Sequence, residues 1–178
     1  MKLFMSLLLL LSLLGASGYD KLFENYKKGN YKKVCFDGKK ILKGKPSSFL
    51  SLVGYACTQE DNIYILYDIV KKLKKTEADR ENASYFATLI LEKKLIYQFM
   101  MDGIDLSNLL MPKTDHILSR VFDKLSQKSY KLLDKSNNKI EIQDGEYRYI
   151  LWNSNDLVKK VYIDEYRGDV IFKRHWFR

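Results

Sequence analysis

Apolar positions along this chain follow two rhythms in turn. From residue 19 to about residue 130 they recur every third or fourth position, the spacing of one helix face. From about Lys139 onward they alternate, the spacing of a half-buried strand. The helical rhythm divides at its breakers. Leu22, Phe23 and Tyr26 form the stripe of a first helix, Tyr19–Lys28, closed by Gly29-Asn30. Tyr31, Val34, Cys35, Ile41 and Leu42 mark a second, Asn30–Lys43, with Gly38 set within it where a neighbour can pack closely. Gly44-Lys45-Pro46-Ser47 breaks the pattern before a third helix, Ser47–Thr58, whose near-continuous apolar run (Phe49, Leu50, Leu52, Val53, Ala56, Cys57) predicts a central position.

A fourth helix starts at Asp61 or Asn62 and carries Ile63, Leu66, Ile69, Val70 and Leu73. Thr76-Glu77-Ala78-Asp79 has the form of a capping box. It opens a helix to about Lys94, and a short helix Leu95–Met101 follows. Ile104–Lys113 reads as irregular, and Thr114 or Asp115 caps a last helix through Ile117, Leu118, Val121, Phe122 and Leu125.

The alternating runs are Ile140 and Ile142, then Tyr147, Tyr149 and Leu151, then Val161 and Ile163, then Val170, Phe172 and Trp176. Turn signals separate them at Asp144-Gly145, Asn153–Asp156 and Arg167-Gly168-Asp169. A Gly-containing turn between alternating runs is a strong hairpin signal. The expected fold is therefore α+β. An N-terminal helical-hairpin array of about six to seven helices occupies 19–130, a polar linker 131–138, and a four-stranded antiparallel β-meander 139–178. A lone small sheet is marginal in water, so one of its faces is expected to pack on the helices.

Residues 1–18 stand apart from both rhythms. Met1 and Lys2 precede the uncharged run Leu3–Leu14, and Ala16-Ser17-Gly18 follows as a small-residue cleavage site. That order is the order of a secretory signal peptide. Its apolar run is about a dozen residues, whereas a spanning helix needs roughly 20. The expectation is cleavage after Gly18, release to the periplasm or the exterior, and no transmembrane anchor. The residue directly after the cleavage site is Tyr19 rather than cysteine, so the leader is not expected to be of the lipoprotein kind.

Export changes the meaning of the cysteines. Cys35 and Cys57 are the only two, and an even count in an oxidising compartment favours a disulfide. Each lies about ten or eleven residues from the turn at Lys45-Pro46, roughly 15–16 Å along its own helix at 1.5 Å per residue. Antiparallel helices bring the two level. Metal binding would need more ligands than the distant His116 and His175 supply, and there is no C-x-x-C pair. No cofactor and no metal are expected.

The full chain carries a net charge of +9, one lysine of which lies in the leader. Such a balance favours anionic neighbours, and export makes nucleic acid a poor match. Two basic surfaces present themselves. Lys71, Lys72, Lys74 and Lys75 crowd a helix end, where they also complement the helix dipole. In the last strands, Lys173, Arg174, Trp176 and Arg178 combine with Tyr147, Arg148, Tyr149 and Trp152 into an aromatic-cationic candidate ligand surface. One aromatic face of that sheet can equally be its core, with the cations guarding an edge.

Catalytic patterns are weak. Thr114-Asp115-His116 and Ser119 hold the residue types of a hydrolase triad, but neighbours on a helix point about 100° apart. Helix capping accounts for Thr114 and Asp115, and no Gly-x-Ser-x-Gly elbow occurs. Arg167-Gly168-Asp169 matches an adhesion tripeptide but has its own reason as a turn. Asn82-Ala83-Ser84 is a glycosylation sequon inside a predicted helix.

Short helices joined by tight turns, with Pro46 at a unit boundary and Leu52, Tyr55, Ala56 and Gln59 after it, resemble a tetratricopeptide repeat over at most Tyr19–Leu95. Leu52 and Ala56 suit that pattern, while Gly38 stands where the preceding unit has a large aromatic. A disulfide-pinned hairpin is also similar to the Sel1-like repeats of secreted bacterial proteins, which carry a bridge in every repeat. The resemblance implies a protein-binding groove. The expected role is a non-enzymatic, exported interaction module of the cell envelope that binds a protein or peptide. The alternative is a binder of an acidic glycan or phospholipid head group through the basic aromatic sheet.

Overall fold

The computed structural model describes residues 19–136 and 138–178. The leader, residues 1–18, lies outside the described residues. Among the described residues no helix is long and apolar enough to cross a membrane. The architecture is α+β: helices, then a five-stranded antiparallel sheet. The chain divides into two compact units between Asn82 and Ala83, a point inside the longest helix.

In the first unit, α1 is helical over residues 19–27, α2 spans Tyr31–Gly38, α3 Ser47–Gln59 and α4 Leu66–Val70. Short 3-10 turns follow α2 at Lys39–Ile41 and precede α4 at Ile63–Ile65. The second and fourth helices are thus shorter than their apolar stripes predict, because tighter 3-10 turns take up part of each stripe. Val34, Phe49, Leu50, Val53, Ala56, Leu66 and Ile69 form the core. Cys35 and Cys57 are joined in a disulfide, with their Cα atoms 4.8 Å apart. Gly38 ends α2 against α3, where an added Cβ would run into the side chain of Val53. The close approach expected at this glycine is real.

The longest helix, α5, runs unbroken over Glu77–Asp102. Its start is a capping box. The Asp79 carboxylate accepts the backbone N–H groups of Lys75 and Thr76, and the Thr76 hydroxyl accepts that of Asp79. The expected break near Lys94 is absent. The charged run Glu92-Lys93-Lys94 interrupts the apolar stripe, but Glu92 and Lys93 are themselves buried, so the helix continues through them.

In the second unit, α6 spans Ile117–Ser126. Its N-cap is His116, two residues beyond Thr114 and one beyond Asp115. The imidazole Nδ1 accepts the N–H of Leu118, and Thr114 accepts the N–H of His116. The strands are β1 Lys131–Asp134, β2 Lys139–Asp144, β3 Tyr147–Asn153, β4 Val161–Arg167 and β5 Val170–Phe177, paired in sequence order. β1 corrects both the four-strand count and the 131–138 linker. Lys131-Leu132-Leu133-Asp134 has no alternation to announce it, and pairing with β2 makes it a strand. The β2–β3 and β4–β5 hairpins turn through Gly145-Glu146 and Gly168-Asp169. Only the glycine of each pair has positive φ, the arrangement of a type II′ turn.

Alternation gives the sheet two faces. Ile140, Ile142, Tyr149, Leu151, Val161, Ile163, His175 and Phe177 are buried on one, and α6 lies against β2. The side chains of Asn138 and Asn153 both donate to the carbonyl of Met100. These bonds tie the sheet to the end of α5.

Candidate binding surface

The opposite sheet face is built from cross-strand rows. Register places Trp152 opposite Tyr162 and Tyr162 opposite Trp176. The next row is Glu141, Ile150, Asp164 and Arg174, and beyond it Gln143, Arg148 and Tyr166. Directly opposed side chains lie close enough to interact. The Trp152 and Tyr162 rings stack at 4.3 Å between centroids, with planes 13° apart. Trp176 remains 47 % exposed at the end of its row.

Asp164 organises the centre of the face. It is buried, and its carboxylate accepts from Trp152 Nε1 at 3.1 Å and from the Arg174 guanidinium at 2.5 and 3.0 Å. Those contacts hold Arg174 near the Trp152 ring, 5.4 Å from its centroid. Two other cations beside this face are engaged in the same way. Arg148 sits 4.3 Å over Tyr166 and pairs with Glu141, and Lys160 lies over Trp176 and pairs with Asp156. A cleft of about 470 Å³ lies among Lys139, Trp152, Asn153, Asn155, Asp164, Tyr166 and Arg174.

Of the residues singled out in the sequence, Arg148, Trp152, Arg174 and Trp176 share this face. Tyr147, Tyr149 and Lys173 alternate to the other. Tyr147 stacks on Tyr149 and receives Arg120 and Arg167 over its ring. Arg178 is the exposed terminal residue beyond β5. Lys71, Lys72, Lys74 and Lys75 belong to the first unit, where Lys71 pairs with Asp68 at the end of α4. Tyr162, Asp164 and Tyr166 were missed. Their signal was the alternation of β4 itself, read only for its buried partners Val161 and Ile163.

The triad residue types are not brought together as a triad. The Tyr85 hydroxyl donates to Asp115, and His116 caps α6. Ser119 instead meets a carboxyl from α5. Its hydroxyl lies 2.8 and 2.7 Å from the two oxygens of Glu92 and 2.7 Å from the Thr114 hydroxyl. Burial pushes the Glu92 carboxyl up to about 7, against the lowering effect of the Ser119 bond. A cavity of about 50 Å³ adjoins it, lined also by Leu109, Leu110, Pro112 and Phe122. Among the described residues no three acidic, histidine or cysteine side chains gather as a metal site.

The sequence matches no protein-family model, no curated protein and no solved structure.

Proposed function

We propose that the chain is an exported, non-enzymatic interaction module of the cell envelope, and that the open sheet face of its second unit recognises a protein or peptide. The observation that carries this reading is the row Trp152–Tyr162–Trp176, flanked by an arginine held on a buried aspartate. Aromatic rings and arginine are the residues most enriched where proteins bind one another. The first unit, whose α2 and α3 are pinned by the disulfide, would supply a second surface.

The same face weighs against the alternative, an acidic glycan or phospholipid head group. Arg174, Arg148 and Lys160 each already have a carboxylate partner. An anionic ligand would have to compete with those partners. The test is affinity capture from the envelope fraction of the native host, comparing the wild type with Trp152→Ala and Trp176→Ala. The expected result is a partner held by the wild type, retained in moderate salt and lost from both variants. Capture of nothing above background, or of the same partner by all three proteins, would overturn the proposal.

A further inference from the structure

Strand β5 is an edge of the sheet: among the described residues it pairs with β4 alone. A sheet edge presents a row of backbone donors and acceptors, and proteins usually blunt it with short strands, proline, bulges or charged side chains. β5 is eight residues long and contains no proline. Its register against β4 skips Phe172, and Lys173 and Arg174 stand at its centre, so the edge is closed to a strand of like charge but not to one of opposite charge. It also keeps its apolar residues in the open, with Val170 71 %, Phe172 55 %, Ile171 44 % and Trp176 47 % exposed. The other edge, β1, is four residues long. Of the two edges, β5 is the one with the length to take another strand.

Charge selects the occupant. The two acidic residues of β4 stand opposite the two central cations of β5: Asp164 faces Arg174 and Glu165 faces Lys173. Continuing that alternation outward puts an acidic residue of an added strand on the open side of each cation; Arg174 keeps Asp164 on its inner side, so the added residue sets the register and displaces no partner. Apolar residues would lie on either side, beside Trp176 at one end and Val170–Phe172 at the other. A second copy of the chain is a poor occupant. Antiparallel self-pairing over the whole of β5 would set Lys173 against Arg174, and like charges directly opposed are destabilising.

We infer that the outer edge of β5 is a strand-addition site for an extended peptide segment, acidic at its centre and apolar on both flanks. This rests on the reading of the sheet as the recognition surface and gives that partner its chemistry. Main-chain hydrogen bonds would supply the affinity and the central charges the register.

The test is amide hydrogen exchange of β5 in the oxidised protein purified from its host. The probe is the synthetic peptide Val-Thr-Val-Glu-Asp-Val-Thr-Val. At a free concentration ten times its dissociation constant, a peptide bound only to the closed strand should slow β5 exchange about tenfold. The same peptide N-methylated on alternate residues should give no protection, and a version with Lys-Lys at its centre should bind several-fold more weakly. The inference is overturned if millimolar peptide leaves β5 unprotected, if N-methylation or charge reversal makes no difference, or if β5 becomes protected with protein concentration alone, which would make a second copy the occupant. Capture by the wild type separates the two readings. An envelope partner captured with no peptide protection of β5 overturns the edge site alone, and peptide protection of β5 with no partner captured overturns the proposed function alone.

Discussion

Glu92 should make the fold less stable as pH rises through neutrality, the reverse of the usual carboxylate. The carboxyl is 1 % exposed in the middle of α5, and burial raises it from 4.5 to about 7. The Ser119 hydroxyl donates to the carboxyl and meets the Thr114 hydroxyl on its other side. That one bond does not offset the cost of burying the charged form. Between the two pKa values the folded chain holds a proton that the unfolded chain has released. The stabilisation is therefore complete below about pH 4.5, declines as pH rises through about 7 and is lost above it. A shift of about 2.5 units at 1.36 kcal/mol each amounts to about 3 kcal/mol. Glu92→Gln keeps an amide in place of the neutral acid and removes the titration. Urea unfolding of both proteins from pH 5 to pH 9 provides the check. The variant should gain on the wild type with rising pH, by up to about 3 kcal/mol at the alkaline end. Other titrating groups, among them Lys93, whose pKa burial, Lys94 and Arg178 hold down, are common to both proteins and largely cancel in the difference. A difference that stays flat across the range would refute the reasoning, because the carboxyl would then not be neutral in the fold.

Two further outcomes follow from the first unit. Replacing Cys35 and Cys57 together by alanine opens a cross-link between residues 22 apart in sequence. It should cost about 3 kcal/mol by the loop-entropy model, read as a lower urea midpoint than that of the oxidised wild type. Gly38→Ala pushes a methyl group into Val53. Overpacking of about 1–3 kcal/mol should outweigh the gain of at most about 1 kcal/mol in helix propensity, and Val53→Ala should restore most of the loss in the double variant.

The change of period near Lys139 was legible because it reflects a physical difference between 3.6 and two residues per repeat. So were the hairpin glycines, since only Gly145 and Gly168 in their loops take positive φ. The capping box of Thr76 and Asp79 was legible for the same kind of local reason. What failed depended on partners distant in the chain. β1 is a strand only through β2. α5 continues through Glu92 and Lys93 because the second unit buries them, against the rule that a charged run marks a solvated face. The candidate surface was half legible. Arg148, Trp152, Arg174 and Trp176 announce themselves by type, but the row that joins Trp152 to Trp176 runs through Tyr162. Asp164, which holds Arg174, was hidden as one acidic residue among many. Only the register identifies either.

That register also decides what kind of force the sheet face can exert. Arg174 is held by a buried carboxylate behind it and lies beside the stacked Trp152 and Tyr162 rings, whose centroids are 5.4 and 5.9 Å away. A side chain fixed in the unbound protein loses little rotamer freedom on binding, so the face acts as a preformed surface. Arg174, Arg148 and Lys160 are compensated at short range, and salt screens such close pairs less than it screens separated charges. Binding through the sheet should therefore be governed by contact area and change weakly with ionic strength. The lysines at 71, 72, 74 and 75 would behave otherwise. Exposed cations attract from a distance and are screened within about 8 Å at physiological salt. A partner whose affinity collapses between low and physiological salt would be held by that first-unit cluster. One that keeps its affinity is held by the aromatic row.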